Sequence, residues 1–435
     1  MASTNRRTRP VHAAAALGAL ALVLTTAACG GGEGGSDSSG TSAKNFTFLA
    51  INENTTVPTT LTTLSQKECA TQNTAQPLEI KKQAQGSLDQ QLQLLAGQGA
   101  LPQTFIAANA PSLTKQLADN GSVLDTAPIS TGVLPAASST IKALFDGQQL
   151  VLPTELNIEG IWYNKKLLTD NGITTPTTWE ELVAAFAKLQ GAGIQPISQA
   201  GKGGDGWGVT RWVGNYILRQ QGPDALKKVA DGQAKLTDPQ YVAAADAIAA
   251  LGKAGYFGKS PTSIDYATAL NTFLTGKAAF IYMGSWALSD FNDTAKNQIG
   301  ADNIGFLKFP TVAGGAGSAD QMPANVGTAV AVSKKAYDND PKTQAWVKCI
   351  VENYGMVALR DSNQISGFAT DGSVQVPALT KQIQDEIGKV QTSVLWFEAY
   401  FPAKATTVSQ GNGGLLAAGQ LTGEKFMQTV STNLS

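Results

Sequence analysis

The chain reads as an α/β protein of two domains. From Phe46 onward strand and helix signals alternate in a β-α-β-α-β order, which favours a mostly parallel sheet with helices on its faces. Beyond the first forty residues about four hundred remain, more than one hydrophobic core usually organises. Hydrophobic residues make up 43% of the chain and charged residues 15%, an ordinary apolar share and a low charged one for a globular protein.

Arg6, Arg7 and Arg9 precede an apolar run from Ala13 to Leu24, and Thr26-Ala27-Ala28 leads into Cys29. A basic head, a short apolar middle and a small-residue exit form a secretory signal, here 1–28. The run is shorter than the ~20 residues a membrane-spanning helix needs. The cysteine at the exit resembles the lipobox of bacterial lipoproteins, with Thr26 in place of the usual Leu. That resemblance makes Cys29 an acylated, palmitate-bearing N-terminus; the plain alternative is an ordinary cleaved signal. Arg6-Arg7 is a weak twin-arginine signal that the following residues do not support. The stretch 29–43, rich in Gly and Ser, is a flexible tether with little apolar surface to bury.

Removing the three leader arginines leaves 29 basic against 33 acidic residues, a formal −4, so no nucleic-acid footprint is expected. The single histidine, His12, lies in the leader. A mature chain without histidine cannot run Ser-His-Asp or Cys-His chemistry and lacks the common zinc and iron ligands. Neither a metal nor a cofactor is expected. Cys69 and Cys349 remain as an even pair, which in an oxidising exterior suggests a disulfide worth on the order of 4–5 kcal/mol. Two separate buried thiols are the alternative.

Along the body, Phe46 to Ile51 is a short apolar strand ending in the polar loop Asn52-Glu53-Asn54. A helix over roughly Leu61 to Thr71 carries Cys69, Leu78 to Gln83 is the second strand, and Leu88, Leu92 and Leu95 mark a helix face. Thr104 to Ala107 is a third strand, ending near Asn109. Ligands of such sheets bind beyond the carboxyl ends of the strands, where these loops lie. Thr178 and Glu181 form a capping box before Leu182, Phe186 and Leu189. Asp238-Pro239 opens another helix, Ile264 to Leu274 is a further one, and Ala278 to Met283 is a strand ending at Gly284-Ser285-Trp286.

Several of these landmarks recur together. Ile161-Trp162-Tyr163-Asn164-Lys165-Lys166-Leu167-Leu168 precedes Pro176-Thr177-Thr178-Trp179-Glu180-Glu181-Leu182. Then follow Phe273-Leu274-Thr275-Gly276-Lys277-Ala278-Ala279-Phe280, Gly284-Ser285-Trp286 and Leu416-Ala417-Ala418-Gly419-Gln420-Leu421-Thr422. In this order they resemble the extracellular solute-binding proteins of ABC importers, in the carbohydrate-binding group that includes maltose-binding protein. The composition, rich in Gly, Ala, Thr and Gln, resembles secreted proteins of actinobacteria.

The resemblance implies a two-lobe periplasmic-binding-protein-like fold of type II, each lobe a mostly parallel sheet flanked by helices, joined by a hinge the chain crosses several times. Lobe I is then 44–156 plus 327–380, and lobe II 157–326 plus 381–435. The crossings fall near Glu155–Glu159, Asn325–Thr328 and Ala378–Gln382. Cys69 and Cys349 both come to lie on helices of lobe I. The implied function is that of a monomeric, non-enzymatic lipoprotein held by its lipid anchor on the outer face of the cell membrane. It captures a neutral mono- or oligosaccharide and hands it to the permease subunits of an importer. Alternatives are the same fold holding a polyamine, an amino sugar or glycerol phosphate, and, more distantly, a secreted glycosidase.

Sugars present apolar C–H faces and polar rims, so their sites combine aromatic platforms with amides and carboxylates. Trp286, Trp207, Trp396 and Tyr400 are the aromatic candidates, with Trp212 a weaker one. Trp162, Trp179 and Trp346 read as core. Trp207 sits in Gly203-Gly204-Asp205-Gly206-Trp207-Gly208, where glycine permits close backbone approach to a ligand. The polar candidates are Asn52, Glu53, Asn109, Asn157, Asp205 and Asn325, at strand ends, the proposed hinge or the glycine loop; a solvated turn residue or helix cap is the alternative for each. Glu155 and Glu159 share a side of the strand with Asn157 and are held in reserve. Lys202 and Arg211 are the only obvious basic residues beside Trp207, so a phosphorylated ligand is less expected than a neutral one.

Overall fold

The computed structural model describes residues 43–52, 54–107, 111–390 and 393–434. The leader, Cys29 and all but the last residue of the tether lie outside them, as do Glu53 and Asn109.

The first sheet has the order β2 (Leu78–Gln83), β1 (Phe46–Ile51), β3 (Thr104–Ile106), β9 (Val330–Val332). β1 runs parallel to β2 and β3, and β9 pairs antiparallel with β3. β1 is buried along its whole length, as expected of a strand covered by helices on both faces. One cover is the long helix Pro341–Ser362. Its Trp346 stacks on Phe46 with ring centroids 4.8 Å apart, and the indole N–H donates to the Gln76 carbonyl at 2.8 Å. A buried tryptophan with its one donor satisfied is a core anchor; truncating such a residue typically costs about 3–5 kcal/mol.

The second sheet has the order β5 (Gln195–Ile197), β6 (Ala278–Gly284), β4 (Asn157–Asn164), β7 (Ile304–Leu307). β5 and β6 are parallel, but β4 runs against β6, β7 and the short β8, so this sheet is mixed and mainly antiparallel, not the mostly parallel one expected of each lobe. The helix Trp179–Gly191 covers it with Leu182, Phe186 and Leu189. Its capping box is formed: Thr178 Oγ1 accepts from the Glu181 N–H and Glu181 Oε2 accepts from the Thr178 N–H, both at 3.2 Å. Such a cap stabilises by about 1 kcal/mol.

The first sheet has one buried cluster and the second has one on each face, the latter's second cluster also taking in residues of the crossing segments. It joins Leu156, Ile158 and Trp162 to Phe273, Ile281, Leu359, Ile365 and Ile383. The chain passes from the first sheet to the second through 152–158 and returns through 324–330, side by side. Leu152 bridges Val330, and in the short strand β8 (Ala324–Asn325) Ala324 pairs with Ile158 and Asn325 with Asn157. A further stretch lies along the same segment, with Leu156 N–H donating to Ile365 O at 2.9 Å and Gly367 N–H to Pro153 O at 2.8 Å.

One sequence expectation fails in detail. The helix expected over Leu61 to Thr71 is two helices, Thr56–Gln66 and Ala70–Ala75, and Cys69 caps the second rather than lying within a helix. No Gly or Pro marks the break at Lys67. The early start passes through Pro58, which a helix tolerates in its first turn.

Cys69 and Cys349 are bridged, with Cα atoms 5.9 Å apart and 280 residues of separation. Both are buried, so the bridge fastens the Cys69 turn to helix Pro341–Ser362 inside the first core. The double variant Cys69→Ser, Cys349→Ser should unfold at lower denaturant, with a loss of about 5–6 kcal/mol in the chain-entropy model. Urea unfolding with and without reductant checks this. Two alkylatable thiols in the unreduced, unfolded protein would count against the bridge.

Candidate functional site

The residues that could meet a ligand gather where the crossing strands reach the second sheet. At the start of β4, Asn157 and Glu159 point to one side, separated by the two-residue period of a strand. Opposite them stands the helix Trp207–Gln221, whose first two turns present Trp207 and Arg211 at i, i+4 spacing on one face. The segment 393–401 supplies Trp396 and Glu398.

Arg211 ties these elements together. Its Nε donates to Glu159 Oε2 at 2.8 Å and its Nη1 to Glu398 Oε2 at 2.9 Å. Its guanidinium carbon lies 5.6 Å from the Trp207 ring centroid and 5.4 Å from that of Trp396. Both ring faces are within cation–π range. Burial alone would discourage the Arg211 charge, but the two carboxylates outweigh it and hold its pKa above the ordinary value. Burial pushes the Glu398 carboxyl upward against the pull of Arg211 and of the Thr210 and Ser409 hydroxyls. Breaking one member of such a buried network typically costs about 3–5 kcal/mol, because a charge is left without its partner.

The network continues into the amides. Asn325 Nδ2 donates to Glu159 Oε1 at 2.6 Å, and Tyr282 donates its hydroxyl to Glu159 Oε2 at 3.3 Å. Asn157 reaches Asn325 at 3.4 Å and accepts from Ser285 Oγ at 3.2 Å. Ser285 belongs to Gly284-Ser285-Trp286, which turns sharply at the end of β6. The Trp286 ring folds back over Gly284: a Cβ there would lie 2.0 Å from it, which only glycine permits. Trp286 meets Trp207 edge to face with centroids 5.6 Å apart, and Tyr266 stands 6.3 Å from Trp207. Burial pushes the Tyr266 hydroxyl up to about 12, while the Trp286 indole works the other way. All three tryptophans, Trp207, Trp286 and Trp396, stay partly accessible.

Thus Trp207, Trp286, Trp396, Asn157 and Asn325 form one connected set. Asp205 adjoins it, but its Oδ2 accepts the Tyr266 backbone N–H at 2.9 Å and so supports the start of helix Tyr266–Leu274. Asn52 is exposed at the end of β1, its backbone N–H donating to Gln83 O at 2.9 Å. Tyr400 packs on the second-sheet core. Burial raises its hydroxyl pKa, and Lys227 and Asp231 lie in its field. Trp212 is wholly buried, its ring against Phe257, Tyr282 and Phe309.

Sequence reasoning understated Glu159 and did not single out Asn54, Tyr266, Tyr282 or Glu398. Asn54 Oδ1 caps the first helix at Val57 N–H, while its Nδ2 donates to Glu155 Oε1 at 3.2 Å and also to Thr328 Oγ1. The glycines about Trp207 serve a different contact from the one expected. A Cβ on Gly206 would lie 2.1 Å from the Gln410 carbonyl, and one on Gly414 2.0 Å from the Gly201 carbonyl. Gly206 thus lies backbone to backbone on helix Ala403–Ala417, Gly208 packs on the Gln199 side chain, Gly203 and Gly204 face open space, and Trp207 itself begins a helix.

Two cavities lie elsewhere. One of about 290 Å³ is lined by Leu134, Leu359, Phe368 and Ile387, and one of about 590 Å³ by Leu49, Lys82, Gln91 and Leu101. Neither includes the tryptophans, Arg211 or the crossing-strand amides. The first is the better enclosed, but its lining is mostly apolar and carries no accessible aromatic platform like the indoles, so the convergent polar and aromatic groups identify the site better than cavity shape does. Among the described residues no cluster suits a metal ion and no helix is long and apolar enough to cross a membrane.

This architecture matches that of known binding proteins. The family model for bacterial extracellular solute-binding proteins matches residues 68–353, and the chain belongs to that family. A probable sugar-binding periplasmic protein of Rhizobium meliloti is 28% identical over 48% of this chain and 51% of its own length. A protein of the same description from Brucella melitensis is 27% identical over 54% of this chain and 59% of its own. The chain thus aligns with somewhat over half the length of these curated relatives. A solved chitin oligosaccharide binding protein superposes with a TM-score of 0.76 at 24% identity, covering 90% of this chain and 98% of its own. A structure from the xylan-utilising bacterium Caldanaerobius polysaccharolyticus gives 0.77 at 19%, over 90% and 100%. The fold is the type II periplasmic-binding-protein-like one.

Glu155, between the crossing strands, makes the site's clearest prediction about pH. It accepts from Thr328 Oγ1 at 2.9 Å and Thr328 N–H at 3.3 Å, and its carboxyl pKa is raised, chiefly by burial. A folded pKa above the unfolded value gives a stability contribution that is complete below the unfolded pKa and lost as pH rises through the folded one. Between pH 4 and 7, wild type should therefore gain stability relative to Glu155→Gln as pH falls. Urea midpoints across that range check the slope; parallel profiles would contradict it.

Proposed function

We propose that this protein captures an uncharged mono- or oligosaccharide outside the cell and delivers it to the permease of an ABC importer. The observation that carries this reading is the joining of three partly accessible indoles to a buried amide and carboxylate network at one place, beside the strands that link the two sheets. Flat apolar faces bordered by fixed hydrogen-bonding groups match the two kinds of surface a sugar offers. Relatives named for sugar binding, and neighbours named for chitin oligosaccharide binding and for a raffinose complex, support the same class of ligand.

In this reading 44–156 with 327–380 forms one lobe and 157–326 with 381–435 the other. The ligand contacts both, so it favours the form in which they close on it. Asn52, Glu53 and Asn109 are proposed as contacts from the first lobe; Asn157, Asp205, Trp207, Trp286, Asn325, Trp396 and Tyr400 complete the set. Cys29 carries the lipid, the tether spaces the lobes from the outer face of the membrane, and the protein acts as a monomer. A polyamine or glycerol phosphate in the same cleft is the alternative.

The protein is proposed to do no chemistry on its ligand. Glu159 and Glu398 are the paired carboxylates nearest the indoles, and both are engaged by the same guanidinium. Hydrolysis would need one of them protonated to serve as general acid.

Isothermal titration of the purified chain with neutral sugars from glucose and galactose to xylobiose, diacetylchitobiose and raffinose tests the reading. Saturable binding of at least one is expected, together with a change in tryptophan emission. Trp286→Ala should weaken it at least about tenfold, the loss of roughly 1.4 kcal/mol. Binding of spermidine or glycerol phosphate with none of the sugars would overturn the sugar assignment. Release of reducing sugar would overturn the non-enzymatic one.

A further inference from the structure

The cavity of about 290 Å³ is lined by none of the tryptophans. Gln364, Ile365, Ser366 and Phe368 form one wall, and the others come from the helices Pro135–Leu144, Pro341–Ser362 and Ala378–Lys389. The first wall belongs to the stretch that lies along the outgoing crossing strand. Ile365 O accepts from Leu156 N–H at 2.9 Å, and Gly367 N–H donates to Pro153 O at 2.8 Å.

Size, charge and one unpaired amide define what fits. An apolar cavity of about 150 Å³ holds a benzene-sized molecule, so this one has room for about seven to ten non-hydrogen atoms. Leu359, Ile365, Phe368 and Ile387 give it an apolar surface, and no Asp, Glu, Lys or Arg lines it. An ion entering it would leave water with no opposite charge to meet. Gln364 is only 6% exposed, yet its side-chain amide has no hydrogen-bond partner among the described residues. Buried amides are ordinarily paired. Its amide atoms are not among those sealed off in the protein, so the open space they reach is that of the cavity the residue lines.

The rim carries an independent sign. Gly388 is exposed in the last turn of the helix Ala378–Lys389. A Cβ there would meet nothing within 4 Å, and its φ is not positive. Neither packing nor backbone conformation calls for glycine at this place, and a helix usually loses stability by having one. Its missing side chain leaves the entrance clear.

We propose that this cavity is a binding site in its own right, for a small uncharged amphiphile. The apolar body packs on Leu359, Ile365, Phe368 and Ile387, and a single hydroxyl or amide pairs with Gln364. The site is independent of the sugar-binding reading. Its occupant rests on the stretch bonded to the outgoing strand and so braces the connection between the two sheets.

Titration of the full chain with benzyl alcohol and 1-hexanol tests this, followed by calorimetry and by NMR of methyl-labelled protein. Hexanoate and hexylammonium serve as charged counterparts. Each alcohol should saturate one site with a Kd near or below about 1 mM, and the two ions should bind at least about tenfold more weakly. Intermolecular NOEs should join the benzyl ring to the Leu359 and Ile387 methyls. Gly388→Leu, which places a side chain at the rim, should weaken both alcohols at least about tenfold. Gln364→Leu keeps the apolar volume and removes the amide, so it should shift the preference between toluene and benzyl alcohol at least about fivefold toward toluene. Circular dichroism identifies a variant that fails to fold, and the wild-type NOEs and charge selection then decide. No saturable binding of either alcohol, ions bound as well as alcohols, or NOEs to methyls outside the cavity overturns the proposal. So does unchanged binding in folded Gly388→Leu or an unchanged preference in folded Gln364→Leu.

Discussion

A single guanidinium held between two buried carboxylates governs how the second sheet presents its surface. Glu159 comes from the strand that enters this sheet, Glu398 from the segment near the C-terminus, and Arg211 from the helix between them in sequence. None has another charged partner in the cluster, so each element's place is set by the other two. Coulombic attraction in a poorly hydrated interior is strong but so is the cost of leaving water, and the balance depends on geometry. Here Asn325 and Tyr282 add hydrogen bonds to Glu159, and Ser409 and Thr210 to Glu398. The guanidinium also lies within cation–π range of the Trp207 and Trp396 rings, so the charge network contacts two of the indoles.

The crossing strands extend the same network toward the first sheet. Asn325 belongs to the returning strand and Asn157 to the outgoing one, and they meet both as a strand pair and through their side chains. One step further, Glu155 engages Thr328 and Asn54, which brings in the loop after β1. Gly327 makes room for this: it adopts φ +53°, and a Cβ there would lie 1.9 Å from Glu155 Oε2. Hydrogen-bonded side chains therefore run without a break from the tryptophan cluster to the connection between the sheets.

Local patterns read well from sequence where a short-range cause decided them. The capping box at Thr178 and Glu181, the proline opening at Pro239 and the apolar run of β1 appear where local chemistry placed them. Trp162, Trp179 and Trp346 are buried as their positions inside regular elements suggested. Tertiary causes were less legible. The break at Lys67 carries no turn residue. The alternation of β4 placed Glu159 beside Asn157, but nothing local shows that a carboxylate there will face a cation from a distant helix and be buried with it. Glu398 was hidden in an aromatic stretch that drew attention to its rings. Gly206 was visible, and its partner was not, because Gln410, Gly413 and Gly414 lie two hundred residues away on a helix that sequence alone does not bring to it.

That glycine seam has a mechanical consequence. Where Gly201 and Gly206 rest on Gly413 and Gly414, main chain meets main chain with no side chain between them. A bearing of that kind has no rotamers to freeze and no methylenes to compress, so whatever presses on Trp207 is resisted by covalent geometry. The indole is seated on something stiff at its base while its outer face remains in water, and the entropy of fixing that pedestal is spent during folding instead of at each encounter.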